Sequence, residues 1–112
     1  MAMVIISFVL NLLNAMDKIL LVDDDVELVE MLKEYIEQES FTVTTAHNGE
    51  VGLAVIKAAQ FDFDLVVLDV MMPIMNGIET LRQIRQTSNL PVIMLTAKGD
   101  DADRIVGLEL GT

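Results

Sequence analysis

From Lys18 onward the chain alternates between short, nearly unbroken apolar runs and longer stretches in which apolar residues recur every three or four positions. The runs are Ile19 to Val22, Phe41 to Thr45, Leu65 to Leu68 and Val92 to Leu95; each is bounded by polar or turn-forming residues, and they predict four strands. Between them Leu28, Leu32 and Ile36, then Val51, Ala54, Val55 and Ala58, then Ile78, Leu81 and Ile84 keep a helical spacing. A fourth helix is predicted over about 102–110, carrying Ile105, Val106 and Leu108. The first and third runs lack any polar alternation, which implies burial on both faces, as in a parallel sheet covered by helices. The predicted class is therefore α/β, a doubly wound parallel sheet.

In such a sheet, ligands bind beyond the carboxyl ends of the strands. Asp23, Asp24, Asp69 and Thr96 all fall at such ends. An isolated Asp after a strand is most simply a helix N-cap, and that role suits Asp25, which precedes the helical pattern starting at Val26. Capping does not account for Asp23, Asp24 and Asp69 together. If the two strands are adjacent, these carboxylates share one pocket, and their mutual repulsion makes chemical sense only around a cation.

Composition narrows the candidates. A chain of 112 residues, 53% hydrophobic and 22% charged, suits one packed globular domain. Eighteen acidic against 7 basic residues give a net charge of -11, which leaves no positive surface for phosphate backbones and argues against direct nucleic-acid binding. With no cysteine, disulfides, thiolate nucleophiles and cysteine metal sites are excluded; a reducing cytoplasm is compatible with this. His47, the only histidine, lies beside Asn48-Gly49, a turn signal, and reads as a solvated loop residue.

Residues 1–15 form a separate apolar extension. Its run from Val4 to Leu13 is shorter than the roughly 20 residues of a membrane helix, and it lacks the basic start and small-residue cleavage site of a secretory signal. Neither a membrane association nor export is expected. The plainest expectation is that Met16 is the natural start and that residues 16–112 are the domain.

Asp23-Asp24, Asp69 followed by Met72-Pro73 and Gly77, and Thr96-Ala97 after Val92 to Leu95 resemble the receiver domain of two-component response regulators. The resemblance covers about residues 16–111, and Leu65 to Gly77 and Pro91 to Gly111 are similar to the OmpR-type transcriptional regulators in particular. It implies a flavodoxin-like (CheY-like) fold, a cytoplasmic location, and a sensor histidine kinase as partner. Asp69 would accept a phosphoryl group from the kinase's phosphohistidine and hold it as an acyl phosphate. Mg²⁺ would be bound by Asp24, by Asp69 and by the backbone carbonyl of Met71, with Asp23 acting through coordinated water. Thr96 would turn its hydroxyl to the phosphoryl oxygens as a switch. Met72, Pro73, Gly77 and Ala97 would shape the pocket, while Met71 and Lys98 would tune the lifetime of the acyl phosphate. No enzyme activity is implied beyond gain and loss of the chain's own phosphoryl group.

The resemblance also sets expectations for what lies after Thr112. A receiver continues into a fifth strand, bearing a lysine that contacts the phosphoryl group, and then a fifth helix; Lys98 sits on the wrong loop to replace that lysine. An incomplete sheet of four strands and four helices is expected, with the fourth strand an open apolar edge and receiver pairing impaired. The apolar extension is expected to dock where the fifth helix is missing, or, since Val4-Ile5-Ile6 favours a strand, to pair onto an open sheet edge. A second functional class stays open, a non-switching fragment or interaction module; an aspartate phosphatase, suggested by the Asp-x-Asp spacing of Asp23 to Asp25, is a remote third.

Overall fold

The computed structural model describes residues 17–70 and 72–95, the backbone of 105–109 and, of the N-terminal stretch, Asn11 alone. The chain order is β1 (Lys18–Val22), α1 (Val26–Glu37), β2 (Thr42–Ala46), α2 (Gly49–Ala58), β3 (Leu65–Asp69), α3 (Gly77–Arg85), β4 (Val92–Leu95) and β5 (Ile105–Glu109). The sheet runs β2-β1-β3-β4-β5, with the first four strands parallel and β5 antiparallel to β4. The expected parallel α/β sheet is thus present, and strand order reverses between β1 and β3.

Burial divides the strand residues by parity, as a pleated sheet covered on both sides requires. Ile19, Leu21, Leu65, Val67, Ile93 and Leu95 join Val29, Leu32 and Ile36 of α1 in one core. Leu20, Val22, Val66, Leu68, Val92 and Met94 join Leu53 and Ile56 of α2 and Ile84 of α3 in the other. Each helix starts on a side-chain cap: Asp25 accepts from the Leu28 N–H, Asn48 from Val51 and Asn76 from Glu79. Asp25 therefore has the capping role expected for it. Asn48-Gly49 opens a helix rather than a free turn.

Two helix faces differ from the apolar spacing. In α2 the buried residues are Gly49, Gly52, Leu53 and Ile56, whereas Val51 is exposed and so are Ala54 and Ala58. Gly52 lies against Val22, where an added Cβ would come within 3.0 Å of a Val22 methyl, so a glycine, invisible to a count of apolar residues, marks the inner face. In α3 the buried residues are Gly77, Thr80 and Ile84, and Ile78 points to solvent.

The fourth helix is the main correction. Residues 105–109 form β5, not part of a helix over 102–110, so the described residues contain five strands and three helices. β-branched Ile105 and Val106 beside Gly107 weaken a helix, and the unsatisfied N–H and C=O groups along β4 offer backbone hydrogen bonds to a strand instead. The β4 edge, expected to be open, is consequently paired, from Val92 opposite Glu109 to Leu95 opposite Ile105, with an irregularity between Met94 and Leu95. The proposed docking of the N-terminal extension lies outside the described residues.

The packing of helices on both faces of the sheet has a direct test. Ile84 is fully buried between α3 and the sheet, and Ile84→Ala should lower the unfolding free energy by about 2–5 kcal/mol. Met31→Ala, on the exposed face of α1, should stay within about 0.5 kcal/mol of wild type. Urea unfolding followed by circular dichroism measures both.

Candidate functional site

Parallel pairing of β1 with β3 aligns Val22 with Leu68, so the next residues, Asp23 and Asp69, emerge side by side at the carboxyl end of the sheet. Asp69 ends β3 and is 3% exposed, and Asp23 is 6% exposed. Asp24 is exposed, and one carboxylate oxygen from each of the three lies within 4.8 Å of the others. The three acids, predicted at the ends of two separate strands, are thus brought together. Met71, Thr96, Ala97 and Lys98 lie outside the described residues.

The backbone orients Asp23. Its N–H donates to the Ala46 carbonyl at 3.1 Å, and its carboxylate accepts the Asp25 N–H at 2.9 Å. The ring of His47 is exposed, with Nδ1 3.3 Å from the Asp23 carbonyl oxygen. The histidine is a solvated loop residue, as expected, but it borders the acidic pocket. Burial is the main reason that the Asp23 carboxyl is pushed up from its ordinary value of 3.8 to about 7; the Asp25 N–H opposes this, while the charges of Asp69, Asp24 and Asp25 add to it. A site that resists its own ionisation in this way is chemically suited to a hard, oxygen-seeking divalent cation.

The loop after Asp69 is braced from below. Pro73 and the capping Asn76 bracket the entry to α3, and the Gly77 N–H donates to the Val70 carbonyl at 2.9 Å. A Cβ on Gly77 would overlap the Asp69 carbonyl oxygen and come within 2.8 Å of Val70 Cα. Gly77 is needed for this close approach rather than for a left-handed φ, a role that the motif alone did not show. Gly49 is similar: a Cβ there would overlap Thr80 Oγ1 and lie 2.6 Å from the Met75 carbonyl. The Thr80 hydroxyl, fully buried, donates to the Asn76 carbonyl at 2.8 Å. Met72 is buried in the core that α2 and α3 share with the sheet.

Comparison with known proteins bears directly on this arrangement. A model of the family described as response regulator receiver domain matches residues 19–112. The chain belongs to that family. This receiver is 56% identical over 96 residues to the transcriptional regulatory protein CpxR of Escherichia coli (strain K12), covering 86% of this chain and 40% of CpxR. It is 45% identical over 95 residues to the transcriptional regulatory protein ResD of Bacillus subtilis (strain 168), covering 85% of this chain and 39% of ResD. The receiver thus spans about 40% of the length of these curated relatives. Among solved structures it is similar to the response regulator protein TrrA from Thermotoga maritima in complex with Mg(2+)-BeF, with a TM-score of 0.67, 39% identity, and coverage of 75% of this chain and 72% of that one. It is also similar to the chemotaxis protein CheY4 of Vibrio cholerae, with a TM-score of 0.69, 34% identity, and coverage of 77% and 72%. The flavodoxin-like, CheY-like fold and the OmpR-type likeness are therefore both confirmed.

Two measurements probe this geometry. The folded chain holds the Asp23 proton up to about pH 7, whereas the unfolded chain releases it near 3.8. The stabilising contribution is full below the lower value and lost as pH rises through the upper one, so the metal-free melting temperature should fall, on the order of 5 °C, between pH 5 and pH 8. Millimolar Mg²⁺ and the substitution Asp23→Asn should each flatten that decline in differential scanning fluorimetry. Separately, Gly77→Ala should cost about 1–3 kcal/mol in urea unfolding, because neither the Asp69 carbonyl nor Val70 can give way cheaply.

Proposed function

We propose that this receiver accepts a phosphoryl group on Asp69 from the phosphohistidine of a sensor histidine kinase. The observation that carries the reading is the convergence of Asp23, Asp24 and Asp69, with carboxylate oxygens within 4.8 Å of one another, at the carboxyl ends of two adjacent parallel strands. An Asp69 carboxylate oxygen attacks phosphorus, the phosphorus–nitrogen bond to imidazole breaks, and the freed imidazole takes up a proton from solvent. The product is an acyl phosphate on the chain itself, one equivalent per molecule. This is signalling chemistry and not turnover of an external substrate.

The donor set fits Mg²⁺. Asp24 and Asp69 would hold it directly, Asp23 through coordinated water from the buried wall of the pocket, and the Met71 backbone carbonyl by family resemblance. Such an ion, when bound, offsets the negative charge that an incoming phosphoryl group brings into an already anionic site. The complex of Thermotoga maritima TrrA with Mg(2+)-BeF, at 39% identity, supports Mg²⁺ as the ion. The chain's own contribution is positional: β1 and β3 fix the acids, the Asp25 N–H orients Asp23, and Gly77 seats α3 beneath the acceptor.

We read Thr96 as the switch hydroxyl, Ala97 and Pro73 as shaping the pocket, and Met71 and Lys98 as tuning residues, all from the family resemblance. Residues 16–112 form the receiver unit in this reading, preceded by the extension 1–15. Among the described residues no helix is long and apolar enough to cross a membrane. We infer a cytoplasmic site of action from the family resemblance, and a place in transcription regulation is supported by the likeness to the transcriptional regulatory protein CpxR.

Incubation with acetyl phosphate and Mg²⁺, read by intact mass, tests the proposal. Wild type should gain one phosphoryl group, and Asp69→Asn and metal-free wild type should gain none. Folded wild type that takes up no phosphoryl group would instead favour a non-switching interaction module.

A further inference from the structure

The two faces of the sheet are covered unequally. On one, α2 and α3 together share a core with Leu20, Val22, Val66, Leu68, Val92 and Met94. On the other, α1 is the only helix among the described residues, and it packs chiefly on β1 and β2. A helix with its side chains is about 10–12 Å across, and neighbouring strands lie about 4.8 Å apart. Seated over β1 and β2, α1 therefore stops short of β4, which lies two strands beyond β1. Yet Leu65 and Val67 of β3 and Ile93 and Leu95 of β4, all on this face, are each at most 5% exposed. Four neighbouring apolar side chains are thus shielded from water where no described helix reaches. Pairing in the plane of the sheet does not explain it, because β5 flanks β4 edge to edge whereas these side chains stand out of the plane.

The rest of the chain narrows what covers them. Outside the described residues, 96–104 holds no large apolar residue, and Met71 and Leu110 are each one residue against a face of four. The run from Val4 to Leu13 is different, being apolar except for Ser7 and Asn11. Asn11, the one described residue of that stretch, is exposed, as suits a polar position on the outer side of a covering segment. The point of attachment also fits. The Thr42 N–H donates to the Asp17 carbonyl at 3.0 Å, so the chain enters β1 at the amino end of the sheet, between β2 and β3. Four residues, 14–17, reach roughly 13 Å, and β4 lies about 10 Å from β1. Ten residues then span about 15 Å even when helical, as much as the height of a four-residue strand. Pairing of the same run onto the free edge of β2 would leave Leu65, Val67, Ile93 and Leu95 open to water.

We propose that the apolar segment from Val4 to Leu13 docks over the β3–β4 half of this face, against Leu65, Val67, Ile93 and Leu95, and completes the second core beside α1. The occupant is a segment of the same chain, and the interaction is independent of what Asp69 accepts. The extension is on this reading an integral layer of the domain, not a tail appended to it.

Site-specific photocrosslinking on the full chain tests the contact. p-Benzoylphenylalanine is placed at position 8, 9 or 10 in turn, so that at least one probe faces the sheet whether the segment is helical or extended. Illumination should give a crosslink within one chain, mapped by peptide masses to Leu65–Asp69 or Val92–Leu95. A crosslink to Thr42–Ala46 or Ile105–Glu109 overturns the proposal in favour of edge pairing. Products found only between chains overturn it in favour of a second copy, and the absence of any product at all three positions overturns it as well. Removal of residues 2–13 supplies a second measurement. The melting temperature should fall by about 10 °C or more, and binding of the dye ANS to newly exposed apolar surface should rise about threefold or more. Unchanged melting and dye binding would sink the proposal, and a deletion variant that fails to fold supports it.

Discussion

The parallel pairing of β1 with β3 is the constraint on which everything else rests. A register that sets Val22 opposite Leu68 leaves no alternative to Asp23 and Asp69 emerging together, and burial then prevents either from escaping its neighbour's charge. The electrostatic cost is met by the apolar interior: both strands are buried on both faces, with α1 beneath one and α2 and α3 beneath the other. A slip of one residue would move each acid to the opposite face and exchange the two cores. The apolar runs that make these strands thus serve to keep repelling carboxylates in place as much as to fold the chain.

Much of this was legible in the sequence because it depends on side-chain type and period. Unbroken runs of Ile, Leu and Val marked β1, β3 and β4, and an acid at the end of such a run could only lie at the sheet's edge. Asp25 could be read as a cap from its place before Val26. What escaped was whatever depends on distance. Gly49, Gly52 and Gly77 carry no hydrophobic signal, yet each marks a surface where two elements meet with no room for a Cβ. For the same reason the apolar spacing of Val51, Ala54, Val55 and Ala58 does not mark the inner face of α2, which Gly49, Gly52, Leu53 and Ile56 form.

The segment from Ile105 to Glu109 shows a different limit. Its apolar spacing is compatible with a helix face, and a run this short also suits a strand. The β-branched pair and Gly107 weaken the helix, and the open flank of β4, a tertiary feature, supplies the strand's partner. Ile74 was unreadable for a third reason: an isoleucine in a left-handed conformation contradicts its own propensity, so no local rule could have placed it there.

Gly77 has a mechanical consequence. With α3 resting on the Asp69 carbonyl, and Thr80 of α3 filling the space beside Gly49 of α2, the acceptor's main chain and both helices touch without slack. A close-packed chain of contacts transmits displacement rather than absorbing it. Any shift of the Asp69 backbone must therefore be shared along the row, so that the two helices on that side of the sheet behave as a lever whose short arm is a single carbonyl group.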